Sequence, residues 1–242
     1  MEQLYQNYTE EDRTVWRTLF DRQMKNLEKV VSQTYLDAIE VVNFRNDKIP
    51  DFKEVDEILG KTTGWGMHAV PCISEQREFF ELLSKKRFTA TTWLRKMSQL
   101  DYLEEPDMFH DVFGHVPLLS NAAYTGFFQG ISEIAMKHLN DPKAIELLGR
   151  IYWFTIEFGL IRENDKLKIY GAGVISSSGE TEYCQKSETK WIDFDVKQIL
   201  ASPFSTDKIQ DKYFVIESFD QLFNSLPLIE TELNTLLIGM RA

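Results

Sequence analysis

The stretch "EEPDMFHDVFGHVPLL", residues 104 to 119, places His110 and His115, two of the chain's four histidines, five residues apart, with Asp111 directly after the first. Neutral imidazoles beside carboxylates are suited to holding a metal ion or moving a proton. On an ideal α-helix, residues five apart are rotated by about 140° from one another, so an unbroken helix keeps this pair apart. Gly114 and Pro117 supply a break: a helix ending near His110 and a turn through Gly114 bring the second imidazole back toward the first. The plainer alternative is two partly buried histidines with backbone partners, because two-histidine patterns are far less specific than four-ligand zinc motifs.

Glu157 makes the metal reading stronger. It sits in "IYWFTIEFGL", a run otherwise apolar but for Thr155, at helical spacing from Trp153, Phe154, Leu160 and Ile161. Burying a lone carboxylate costs on the order of several kcal/mol unless a charge or a metal compensates it. An ion pair with Arg150 or Arg162 is the other way to compensate it. Two imidazoles and one carboxylate, without a thiolate, form the ligand set of a non-haem Fe(II) centre with open coordination positions. A zinc hydrolase can use the same three ligands, with Glu180 or Asp111 as general base.

The elements that must position these groups are mainly helical. From Thr9 to about Val42 the apolar residues recur three or four apart, and "YTEED" supplies an N-cap ahead of them. A short helix is expected from Phe52 to Leu59 with Gly60 as its cap, and another behind a Ser74 cap. A further helix enters from "TATTWLR", and helices fit Ala122 to Leu139 and Pro142 to Leu160. Strand character is confined to "KLKIYGAGVI" and "KYFVIES", and the closing segment from Phe219 to Leu237 is helical with an interruption at Pro227. The expectation is a mainly α protein with a small β-sheet component.

Bulk composition bounds the function. With 242 residues and 43% apolar side chains, one large core is enough to organise the chain, so residues 1–242 are expected to form a single domain. A net charge of −11 without a Lys/Arg block opposes binding to nucleic acid or anionic membrane, leaving small molecules as the expected partners. The two cysteines, Cys72 and Cys184, suggest neither a disulfide framework nor a thiolate metal cage. No stretch reaches the roughly 18 to 20 apolar residues of a membrane span, and the acidic N-terminus lacks a signal pattern, so a cytoplasmic location is expected.

At "EPDMFHDVFGHVPLL", "IYWFTIEFGL" and "YGAGVISSSGETEYC" the sequence resembles the catalytic domain of the pterin-dependent aromatic amino acid hydroxylases, most closely the short bacterial members that act on phenylalanine. The three motifs stand in the family's order, and weaker similarity at "YTEED", "TGW" and "ESFD" extends over most of the chain. The resemblance implies the aromatic amino acid hydroxylase fold. It also implies Fe(II) and tetrahydrobiopterin, or another tetrahydropterin, as cofactors, and hydroxylation of L-phenylalanine to L-tyrosine with O2. Tyrosine or tryptophan as substrate is the alternative within the family.

By the same resemblance His110, His115 and Glu157 are the iron ligands. Arg95, in "WLRKM", grips the substrate carboxylate, and Asp107 holds that arginine. Leu103 departs from the animal members, which carry a hydroxyl residue there, so the carboxylate clamp is completed differently. Trp153 is a wall of the substrate pocket, Ser176 orients a ligand imidazole and approaches the substrate, and Glu180 stands near the pterin and iron. Ile73 to Phe79 match the pterin-reading region, with Phe79 stacking on the ring, and Asp111 occupies the place of a carboxylate near the pterin. The segment 204–211, with Thr206 where family members differ, matches the animal enzymes poorly. Animal relatives add a regulatory domain and a C-terminal tetramerisation helix. This chain is expected to have neither and to act as a monomer with a hyperbolic dependence on phenylalanine.

Overall fold

A computed structural model describes the chain apart from Tyr102, Glu104, Asp207, Ala242 and the side chain of Arg241. Glu104 of the histidine-bearing stretch, Asp207 of the 204–211 segment and the closing Ala242 therefore lie outside the described residues. Helices α1 (Glu10–Leu27), α2 (Gln33–Val41) and α3 (Phe52–Thr62) lead into β1 (Gly66–Val70), α4 (Gln76–Ser84) and β2 (Arg87–Thr91). A π-helix, Phe109–His115, precedes α5 (Ala122–Lys137) and α6 (Pro142–Tyr152), and α6 runs directly into a second π-helix, Trp153–Glu157. Then come β3 (Leu160–Glu163), β4 (Lys166–Ile169), α7 (Ala172–Ser176), α8 (Ser178–Tyr183), β5 (Lys190–Asp193), α9 (Val196–Ala201), β6 (Lys212–Ile216), α10 (Phe219–Asn224) and α11 (Leu226–Arg241).

Strands β1 and β2 pair in parallel across the α4 connection, and the other four form one sheet in the order β4-β3-β6-β5. The β3–β4 hairpin turns on Asn164 and Asp165, both at positive φ (50° and 60°), as a two-residue turn matched to strand twist requires. β6 lies parallel to both β3 and β5, so the sheet carries the chain that follows Glu157 back beside the chain that follows the 204–211 segment. One continuous apolar core joins the helices to both sheets.

The expected N-cap at Thr9 is present as a capping box with Asp12. Several other sequence expectations are corrected by tertiary pairing. The run from Thr9 to Val42 is two helices, because Val31 bridges to Ile169 and Ser32 N–H donates to Ile169 O at 2.8 Å, pulling residues 28–32 out of helical geometry. Gly60 lies inside α3. The left-handed position after that helix is Gly64 (φ 78°), whose N–H closes on Leu59 O. Ser74 does not cap α4: Glu75 is the capping position, and the Ser74 hydroxyl is buried without a protein partner.

"TATTWLR" is no helix. Its first residues finish β2, a strand buried on both faces that lacks the alternation by which half-exposed strands are recognised. The helices expected to reach Leu139 and Leu160 stop at Lys137 and Tyr152. Leu160 opens β3, and "AGVI" at the end of the expected strand run belongs to α7. Pro227 sits in the first turn of α11, where its missing N–H leaves no helical bond unmade.

The first π-helix is clamped from both ends of the core. Phe109 and Phe113 stack at 4.7 Å between ring centroids, Trp16 meets Phe109 edge-on at 5.5 Å, and Phe20 meets Phe113 at 5.4 Å. The Tyr35 hydroxyl donates to Phe113 O at 2.6 Å, supplying a donor to a carbonyl in the widened turn. The second π-helix begins where the Thr155 hydroxyl donates back to Ile151 O at 2.6 Å, a side-chain bond that disturbs regular α geometry.

Candidate active site

His110 and His115 converge without a break in the helix, which corrects the turn expected at Gly114. In a π-helix the backbone bonds close on the fifth residue, so side chains five apart come to lie nearly above one another. The ring centroids are 5.2 Å apart with planes at 84°. Gly114 is needed for space: a Cβ there would stand 2.9 Å from Ala172 O, so only glycine lets α7 pack this closely. Gly171 plays the same part for the second π-helix, since a Cβ on it would lie 2.5 Å from Glu157 O.

Glu157 completes the cluster. Its Oε1 is 3.0 Å from His115 Nε2 and its Oε2 3.7 Å from His110 Nε2, and one ligand atom from each residue falls within 4.8 Å of the others. Among the described residues this is the one group of three or more His, Cys, Asp or Glu side chains so arranged. Burial pushes the Glu157 carboxyl up, but the imidazoles of His115 and His110 and a hydrogen bond from Tyr152 outweigh it and bring it down to about 2. The carboxylate is therefore ionised and aimed with two imidazole nitrogens at one point, the donor set of an Fe(II) centre with open positions. The ion pairs considered for Glu157 are absent: Arg150 binds Glu146 and Leu200 O, and Arg162 binds Glu217 and Asp193.

The imidazoles are oriented from behind. Ser176 Oγ lies 2.8 Å from His110 Nδ1 and donates its own proton to Ala172 O at 2.9 Å. The hydroxyl must then accept from Nδ1–H, which leaves the lone pair on Nε2 facing Glu157. His115 is held by packing, between Phe88 at 4.9 Å and Tyr152 at 6.4 Å, and its Nδ1 is buried without a protein partner. Ser176→Ala should weaken metal retention by about 10- to 100-fold. Competition with a chelator measures this, and unchanged retention would leave the hydroxyl without that role.

The substrate candidates form a second group. Asp107, fully buried, takes Arg95 Nε and NH2 at 3.0 and 2.8 Å and also accepts from the backbone N–H of Arg95. Its Oδ1 accepts further from His110 N–H at 3.4 Å, so one carboxylate ties the arginine to the metal-binding helix. NH1 reaches Leu100 O at 3.4 Å and makes no bond to Asp107. Trp153 stacks on Phe204 at 4.5 Å and packs against Phe158 at 4.6 Å.

The remaining candidates are spread around the metal cluster. Phe79 is half-buried and meets Tyr152 edge-on at 5.3 Å, which places it one ring away from His115, whereas Ile73 is exposed. Asp111 accepts from Thr91 N–H and Oγ1, each at 2.8 Å, and burial raises its carboxyl despite the nearby His110. Glu180 belongs to a different contact: its oxygens accept from Gln210 N–H at 3.0 Å and from the Tyr213 hydroxyl, and burial raises its carboxyl. Sequence reasoning missed Tyr152, Thr91 and Gln210. Tyr152 and Glu157 repeat the five-residue spacing of the histidines, a signal that carries meaning once π-helices are considered.

The family model described as biopterin-dependent aromatic amino acid hydroxylase matches residues 3–235. Phenylalanine-4-hydroxylase of Ralstonia nicotianae is 42% identical over 93% of this chain and 72% of that protein. The corresponding protein of Chromobacterium violaceum is 40% identical over 90% of this chain and 73% of its own length. A crystal structure of the C. violaceum phenylalanine hydroxylase with bound iron(III) and oxidised 7,8-dihydrobiopterin superposes with a TM-score of 0.92 at 38% identity, covering 99% of this chain and 86% of that one.

Proposed function

We propose, for a chain that belongs to the biopterin-dependent aromatic amino acid hydroxylase family, that it is an iron- and tetrahydropterin-dependent monooxygenase hydroxylating L-phenylalanine to L-tyrosine with O2. The observation that carries this reading is the convergence of His110, His115 and Glu157 on one point, with Asp107, which anchors Arg95, three residues before His110. Bound there, Fe(II) and a tetrahydropterin supply O2 activation, with the pterin as the two-electron donor.

His110, His115 and Glu157 hold the metal, and three protein ligands leave room for the reactants. Ser176 keeps the His110 lone pair directed inward, and the Tyr152 hydroxyl steadies the Glu157 carboxylate. Arg95 receives the substrate carboxylate on its end-on edge while Asp107 prevents the guanidinium from turning. Trp153, Phe158 and Phe204 wall the ring and exclude water, which orients the carbon to be oxidised. Phe79 stacks on the pterin, Ile73 presents its backbone to it, and Asp111 stands beside it with one oxygen committed to Thr91. Glu180 acts on this site through the segment before β6.

Residues 1–242 are read as one catalytic domain working as a monomer, because α11 buries Ile229, Leu233 and Leu237 in its own core, which uses the apolar stripe a coiled coil would need. Among the described residues no helix is long and apolar enough to cross a membrane. The two unpaired cysteines suit a cytoplasmic location. The test is reconstitution of the purified protein with Fe(II) and a tetrahydropterin, followed by assay of phenylalanine, tyrosine and tryptophan. Tyrosine formed from phenylalanine is the expected product. Retention of zinc in place of iron with ester or amide hydrolysis, or preference for another aromatic amino acid, would overturn the corresponding part.

A further inference from the structure

We infer that Gln210 is a positioning residue that sets ring selectivity, its side-chain amide locking the Trp153 indole to the backbone of the segment that carries Phe204. This rests on the reading of Trp153 as a wall of the substrate pocket. Gln210 is 6% exposed, and every polar atom of its amide is engaged. Oε1 accepts from Trp153 Nε1–H at 2.9 Å, and Nε2 donates to Ser205 O at 3.0 Å and to Lys208 O at 2.9 Å. The orientation of this amide follows from its partners: an indole N–H only donates and a carbonyl only accepts, so oxygen must face Trp153 and nitrogen the two carbonyls.

The same residue is anchored from behind. Its backbone N–H donates to Glu180, whose other oxygen is held by the buried Tyr213 hydroxyl. A chain of bonds therefore runs from α8 through residue 210 to the second π-helix, and the Ser205 and Lys208 carbonyls are tied onto that chain. Phe204 lies flat on Trp153 with planes 15° apart and meets Phe154 edge-on, so both faces of this aromatic corner depend on where the segment sits. Remove the amide, and a part-buried indole N–H and two carbonyls lose their partners together. The indole is then free to pivot, and Phe204 is free to leave its face. Selectivity for one aromatic ring over a larger one depends on a wall that does not yield.

Gln210→Leu tests this. In protein labelled with 5-fluorotryptophan, the Trp153 resonance, assigned by its loss in Trp153→Phe, should be one sharp line that Gln210→Leu broadens or splits. In Fe(II)- and tetrahydropterin-loaded enzyme, kcat/KM for phenylalanine relative to tryptophan should fall by about tenfold. Tyrosine formed per tetrahydropterin consumed should fall with it, while iron content and the KM for tetrahydropterin stay unchanged. Gln210→Leu added to Trp153→Phe should change selectivity less than it does alone, because the bond between the indole and the amide is already gone in that background. Gln210→Glu keeps an acceptor for the indole and loses both donors, so it should keep the Trp153 line sharp while releasing the Ser205 and Lys208 carbonyls. It also supplies the reading should the leucine variant fail to fold. An unchanged Trp153 line in Gln210→Leu, or an unchanged selectivity ratio, would overturn the inference. Absence of any hydroxylated product from the wild-type protein would instead overturn the proposed function, with the fluorine resonance still deciding the tether.

Discussion

Glu157→Ala protein is expected to fold, to retain no Fe(II) after dialysis, and to lose phenylalanine hydroxylation by a factor on the order of 10³ or more. The fold should survive because the side chain contributes little to the core. Its carboxylate is a buried charge that costs energy to desolvate, and its partners are the two imidazoles and the Tyr152 hydroxyl. The iron should not survive, since removing one of three ligands takes away the single anionic donor and leaves two neutral nitrogens. Glu157→Gln separates charge from shape: it keeps the volume and should lose iron nearly as completely. His110→Ala should behave like Glu157→Ala. His115→Ala should in addition cost about 2–4 kcal/mol of stability, because its ring is packed between Phe88 and Tyr152. Metal analysis with circular dichroism checks all four proteins, and full iron occupancy in Glu157→Ala would remove Glu157 from the centre.

Arg95→Lys should raise the KM for phenylalanine by about 100-fold with a smaller change in kcat. The guanidinium here has two duties that an ammonium cannot combine. Its Nε and NH2 are engaged by Asp107 in parallel bonds at 3.0 and 2.8 Å, and in the proposed function its remaining donors receive the substrate carboxylate. A lysine placed at residue 95 reaches either Asp107 or the substrate carboxylate as a point charge, and the bidentate geometry on both sides is lost. Asp107→Asn should reproduce part of this effect with Arg95 intact, because a neutral amide no longer holds the buried guanidinium in register. Steady-state kinetics at saturating tetrahydropterin provides the check. An unchanged KM in Arg95→Lys would assign the carboxylate anchor to another residue.

The chemistry of this protein is legible in its sequence because it depends on residue types that have few other reasons to occur where they do. A glutamate inside "IYWFTIEFGL" must be compensated whatever the fold, and histidines flanked by "PDMFHDVFGHVPLL" are too apolar in context to be surface residues. Composition and helical periodicity likewise determined the mainly α class, the single large core and the capping box at Thr9. Three matched motifs were enough to indicate the family.

Tertiary structure decided how those residues meet. His110 with His115, Tyr152 with Glu157 and Trp153 with Phe158 are each five apart, a spacing that an α-helix spreads around its circumference and a π-helix brings together. No local propensity calls for a π-helix, which is less favourable than an α-helix in isolation. It exists here because Tyr35 donates to the Phe113 carbonyl, Thr155 bonds back to Ile151, and Gly114 and Gly171 let α7 and the second π-helix approach closely. Apart from the local Thr155–Ile151 bond, these partners stand well apart in sequence. The same holds for the breaks at residues 28–32, for β2 in "TATTWLR" and for Gln210: each is defined by a bond to a distant strand or ring, and such bonds exist only once the chain has folded.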